Sequence, residues 1–159
     1  MTTNNMNTFT LKQVKEMFLK DTQVRKTNKS SNKPIIQLIE MLENDNLKIT
    51  CEYTKGGTIL NRGSVVECLV KLLLKDQKSA RKYQNGRCDM IINHEKYEIK
   101  YSSAKGYASY SRPIQEKLIF VNQYGVYLTT GDNLVMDKCG KHIQSIKMNS
   151  TVKTLVEFQ

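Results

Sequence analysis

The chain has 159 residues, 39% hydrophobic and 25% charged, which suits one globular domain with a real core and excludes a disordered polymer. Lys plus Arg number 25 against 15 Asp plus Glu, and the net charge of +10 points to a polyanionic partner, nucleic acid first. No apolar run approaches the roughly 20 residues of a membrane span, and the polar start Met1-Thr2-Thr3-Asn4-Asn5 lacks a signal-peptide profile, so no membrane partner is expected and the expected location is the cytoplasm.

Taken in order, Thr10 is placed to cap a first helix through about Asp21, with Leu11, Val14, Met17 and Phe18 as its apolar stripe. Thr22 to Lys33 follows with no acid and hardly an apolar residue. It reads as a linker, or as a basic arm in which Arg25, Lys26, Lys29 and Lys33 lie along phosphates. Residues 1–33 therefore read as an N-terminal helix and basic linker, and 34–159 as the main domain.

Pro34 suits the first turn of a second helix reaching about Asn44. Leu47 to Tyr53 alternates weakly, as a strand does, before Gly56-Gly57. A third helix runs from about Gly63 to Asp76 and is apolar nearly all round: Val65, Val66, Cys68, Leu69, Val70, Leu72, Leu73 and Leu74. Glu67 is its one acid before Asp76. A carboxylate there is costly unless it is paired, protonated or bound to metal, and Lys71, four residues on, is its nearest structural partner.

Gly86 to Tyr101 reads as a β-hairpin, with an apolar run from Cys88 to Ile92, a polar turn at Asn93 to Lys96 and strict alternation from Tyr97 to Tyr101. With Asn93 paired to Lys96, Asp89 falls opposite Lys100 and Ile91 opposite Glu98. Asp89, Glu98 and Lys100 then share one face, with diagonal carboxylates about 7 Å apart. Two carboxylates at that separation suit one divalent cation, and a lysine beside them suits a phosphate or a water. The plain structural alternative is a half-exposed strand with Tyr97, Ile99 and Tyr101 inward and Asp89–Lys100 as a surface ion pair of about 0.2–1 kcal/mol.

Asp89, eight residues, then Glu98-Ile99-Lys100 on a strand resembles the core motif of the PD-(D/E)XK nuclease superfamily, the restriction-endonuclease-like fold. Gly63-Ser64-Val65-Val66-Glu67 resembles the family's acidic position on the preceding helix, while Cys88 stands where the family's leading proline would be. The resemblance implies an α+β (α/β) fold with a mixed central β-sheet, flanking helices and a restriction-endonuclease-like core, here with extra N-terminal helices. It implies catalysis by Asp89, Glu98, Lys100 and Glu67, and Mg²⁺ or Mn²⁺ held by Asp89, Glu98, the Ile99 carbonyl and Glu67. The expected activity is metal-dependent DNA cleavage, on branched or structured DNA if the chain is most similar to small Holliday-junction resolvases. A homodimer is one assembly open to it. The alternative is a non-catalytic nucleic-acid-binding protein on a nuclease-like or other α+β scaffold.

Ser102 to Pro113 is small and basic and is interleaved with tyrosines, a pattern for contact with a phosphate backbone or unpaired bases. With Arg62, its residues Lys105, Tyr107, Tyr110 and Arg112 complete the expected nucleic-acid surface. Leu118 to Asn122 and Val126 to Thr130 read as strands joined at Gln123-Tyr124-Gly125, and Leu134 to Met136, Ile143 to Met148 and Val152 to Phe158 as short strands. Cys51, Cys68, Cys88 and Cys139 are expected to be buried free thiols. A zinc site combining Cys139 and His142 with Cys88 or His94 is the rival reading, though no second closely spaced pair exists.

Overall fold

A computed structural model describes residues 6–20, 32–52, 61–74, 90–102, 108–109, 117–140 and 142–159. The chain belongs to the α+β class and divides into two compact units, Met1–Asp76 and Gln77–Gln159, each described by itself.

The first unit contains strand β1 (Met6–Thr10), helices α1 (Leu11–Lys20) and α2 (Lys33–Leu42), strand β2 (Lys48–Glu52) and helix α3 (Arg62–Leu74). Helix α1 starts where expected, and the reason lies in its side chains. Thr10 Oγ1 accepts from the Gln13 amide at 3.2 Å while Gln13 Oε1 accepts from the Thr10 amide at 2.8 Å, so each satisfies a donor of the other. Helix α2 carries Pro34 in its first turn and ends at Leu42, because Glu43 turns left-handed (φ 53°) and donates its N–H to the Glu40 carbonyl. Strand β1 was not expected from its sequence. Met-Asn-Thr-Phe-Thr alternates too weakly to announce a strand, and it is set by antiparallel pairing with distant β2, Phe9 opposite Ile49. Helix α2 packs against α1 and α3, and α3 against β2, around Leu11, Val14, Ile35, Leu38, Val65, Val66, Leu69 and Val70, all fully buried.

The second unit contains β3 (Met90–Ile92), β4 (Glu95–Tyr101), β5 (Ala108–Ser109), β6 (Lys117–Val121), β7 (Gly125–Thr130), β8 (Leu134–Met136), β9 (His142–Ile146) and β10 (Lys153–Glu157). Five of these form a mixed sheet in the order β10-β7-β6-β4-β3, in which β4 and β6 run parallel and the other neighbours antiparallel. A smaller sheet has the order β5-β9-β8. Strand β5 lies inside the Ser102 to Pro113 stretch, where no strand was expected, and it is set by pairing with the distant β9.

Leu118, Phe120 and Tyr127 from one face of the large sheet cluster with Ile143 and Ile146 of the small one. Asn133 stitches the following turns together. Its Nδ2 donates to Thr129 Oγ1 at 3.0 Å and to Thr151 Oγ1 at 2.9 Å, and its Oδ1 accepts from Asn149 Nδ2 at 2.8 Å.

Candidate active site

The β3–β4 hairpin closes with Ile92 opposite Glu95, Ile91 opposite Lys96 and Met90 opposite Tyr97. The turn is therefore Asn93-His94, both with positive φ (50° and 69°), the conformation of a two-residue type I′ hairpin. This corrects the expected register, in which Ile91 faced Glu98, by two residues. His94 stands where a type I′ turn usually has glycine, so it concealed the turn that an Asn-Gly pair would have announced. A slip of two preserves the faces: Ile91, Lys96, Glu98 and Lys100 still share one side of the sheet, and Met90, Tyr97, Ile99 and Tyr101 the other. Asp89 lies outside the described residues.

Strand β4 is interior to its sheet, between β3 and β6, with Glu98 beside Leu118, Ile99 beside Ile119 and Lys100 beside Phe120. Glu98 is 8% exposed, and its Oε2 is shut off from solvent; Lys100 is half-buried. The half-exposed strand with an outward Glu98 is thereby corrected. The β3 ladder ends at Tyr97 and the parallel β6 ladder begins at Glu98, and strands paired in parallel tend to be covered on both faces.

Backbone direction is set by the hydrogen bond from the Ser102 amide to the Val121 carbonyl, 3.0 Å. Peptide groups of alternate residues point to alternate sides of a strand, so those of Glu98 and Lys100 aim at β6 and the Ile99 carbonyl aims toward the β3 side. The Glu98 carboxylate and the Ile99 carbonyl are hard oxygen donors of the type Mg²⁺ and Mn²⁺ take, so this part of the donor set fits such an ion. Among the described residues no three His, Cys, Asp or Glu side chains gather into a metal cage.

Glu67 is buried in α3 of the first unit, as expected for the lone acid of an apolar helix, and Lys71 one turn on is buried with it. Arg62 begins the same helix. Its Nε donates to the buried Asn32 Oδ1 at 2.9 Å, its guanidinium lies 5.6 Å from the Phe18 ring centroid, and Asn32 Nδ2 donates to the Phe18 carbonyl at 3.2 Å. Lys33 is exposed at the start of α2. Arg25, Lys26, Lys29, Lys105, Tyr107, Tyr110 and Arg112 lie outside the described residues.

The opposite face of β4 carries a second cluster that no local sequence pattern announces. Lys117 Nζ meets Glu95 Oε2 at 2.6 Å, and the Tyr97 hydroxyl donates to the same oxygen at 3.1 Å. The Lys117 ammonium, aided by the Tyr97 hydroxyl, holds the Glu95 carboxyl below its usual range. Glu95 in turn raises Lys117, while burial, reinforced by Glu95, raises the Tyr97 phenol. The signal was present only in three dimensions, because Lys117 is brought beside Tyr97 by the parallel β4–β6 pairing.

At the β8–β9 turn, His142 Nδ1 sits 2.8 Å from Asp137 Oδ2. Cys51 is buried as expected, whereas Cys139 is exposed, because it sits at the tip of that turn. Cys88 lies outside the described residues. No family model, no curated protein and no solved structure matches the chain.

Proposed function

We propose that this protein is a metal-dependent DNA endonuclease with a restriction-endonuclease-like core, acting from the Glu98 face of β4. The observation that carries the reading is the burial of Glu98 on an interior strand, with Lys100 one pleat further along the same face. Removing a carboxylate from water costs several kcal/mol unless cations or hydrogen bonds compensate, so solvent exposure does not explain this acid-x-lysine pair. The +10 net charge adds support, because a polyanion is the partner such a surface favours.

In this reading Glu98 and the Ile99 carbonyl would hold Mg²⁺ or Mn²⁺ together with Asp89. The ion, when bound, polarises the scissile phosphate and lowers the pKa of a water. Lys100 orients that water by hydrogen bonding and offsets the charge that develops on the phosphate oxygens. Ile99, below Glu98 and facing the other side, fixes the strand on which both groups stand.

The test is cleavage of supercoiled plasmid, linear duplex, single strand and four-way junction, with Mg²⁺ or Mn²⁺, by wild type and Glu98→Ala. Metal-dependent cutting that the substitution abolishes supports the reading, and preference for the junction narrows it to a resolvase-like enzyme. If neither protein cuts any substrate and both bind DNA equally, the enzyme reading fails and a non-catalytic nucleic-acid-binding protein replaces it.

A further inference from the structure

The two-residue turn at Asn93-His94 returns Lys96 to the ladder. It is the partner of Ile91, not the last residue of a loop. Strand alternation then puts Lys96 on the face of Glu98 and Lys100, one pleat before Glu98 as Lys100 is one pleat after it. Two-residue steps are about 6.6–6.8 Å, so the two lysine Cα atoms stand about 13 Å apart with the buried carboxylate midway.

Along this face exposure falls from Lys96, which is exposed, to Glu98, which is buried, and rises to half-buried Lys100. The cross-strand neighbour of Lys96 is apolar Ile91, and the acid on its own strand face is Glu98. Lys96 is not a member of the Lys15–Glu40, Lys117–Glu95 or His142–Asp137 ion pairs. Its neighbour Glu95 points to the other face, where Lys117 neutralises it.

We infer that Lys96 is a substrate-binding residue that contacts a backbone phosphate adjacent to the one reacting beside Glu98 and Lys100, so that the site favours a nucleic-acid strand over an isolated phosphodiester. The inference rests on the function proposed above. Lys96 stands on the far side of Glu98 from Lys100, about 6.6–6.8 Å along the strand from the carboxylate, so a nucleic-acid strand whose reacting phosphate lies beside Glu98 and Lys100 can bring a neighbouring phosphate to Lys96. Lys96 therefore contributes to the affinity for polymer and takes no part in bond breaking.

The test measures binding of a short fluorescent DNA duplex, in Ca²⁺ over a series of NaCl concentrations, to wild type, Lys96→Ala, Lys96→Arg and Lys153→Ala. Lys153 is exposed, on β10, and its register places it on the opposite face of the sheet. Each phosphate contact adds about 0.9 to the slope of log affinity against log salt. Lys96→Ala is expected to lower the slope by about that amount and the affinity by about fivefold to tenfold at moderate salt. Lys96→Arg restores both, and Lys153→Ala changes neither.

In parallel, KM for DNA is expected to rise in Lys96→Ala with kcat unchanged. An unaltered salt slope in Lys96→Ala, or an equal loss in Lys153→Ala, overturns the inference even if the enzyme cuts DNA. A wild type that does not cut DNA overturns the enzyme reading instead, and the binding slopes still judge Lys96 by themselves.

Discussion

Glu98 stands beside Leu118 in the parallel β4–β6 ladder, and Leu118 in turn faces Thr129 across β6–β7, so an acid, an aliphatic and a hydroxyl form one row on one face of the sheet. All three are buried. The acid proposed to bind metal is thus built into the sheet that carries the second unit's core.

The hairpin turn offers a direct check on the register. His94 holds a φ of 69°, a conformation that costs a residue with a Cβ about 1–2 kcal/mol and glycine almost nothing. Replacing it with glycine completes the Asn-Gly pair preferred at type I′ turns. His94→Gly is expected to stabilise the protein by about 0.5–1 kcal/mol in urea unfolding, after the greater chain entropy of glycine is subtracted. No gain, or a loss, would contradict a left-handed His94 at the turn.

Gly125 opens β7, and a Cβ added there would collide with the Val156 carbonyl and crowd the Tyr127 ring. The backbone of β10 approaches this closely because Glu157 pairs with Gly125 beyond a bulge. Gly125→Ala is expected to destabilise by about 1–3 kcal/mol, read by chemical denaturation, since the obstacle is backbone and not a flexible side-chain tip.

How much of this could be read beforehand depended on the range of the interaction. The helix starting after Thr10 and the hairpin from Met90 to Tyr101 are specified within a few residues, by a cap and by period-two alternation, and both form. The two-residue shift of the register was hidden by one atypical turn residue, His94. The burial of Glu98 was hidden for a different reason. Alternation in a strand assigns polar side chains to water, and only the parallel neighbour β6, which starts nineteen residues after Glu98, reverses that assignment. The Glu95–Lys117–Tyr97 cluster has the same non-local origin. Strand β1 exists only through β2, on the far side of two helices in sequence.

That cluster predicts a pH signature. Glu95 titrates below its ordinary range when folded, so its contribution to stability is present above that range and is lost as pH falls through the lowered folded value. Lys117 is raised, so its contribution is present below the ordinary lysine value and is lost as pH rises through the higher folded one. Glu95→Gln is therefore expected to flatten both flanks of the thermal midpoint against pH. An alkaline decline from Tyr97 remains, because burial is the first cause of its raised pKa. Identical profiles for the two proteins would show that the Glu95–Lys117 contact contributes nothing in solution.

The most direct test of the central claim, that Glu98 helps to hold a catalytic divalent ion, is Mn²⁺ binding followed by electron paramagnetic resonance in wild type and Glu98→Gln. Glutamine keeps the shape of the buried group and one acceptor oxygen while removing its charge, and circular dichroism verifies that the variant is folded. The account predicts binding by wild type and a loss of at least about tenfold in affinity in the variant. Equal affinity in the two folded proteins, or no binding by wild type, would contradict it.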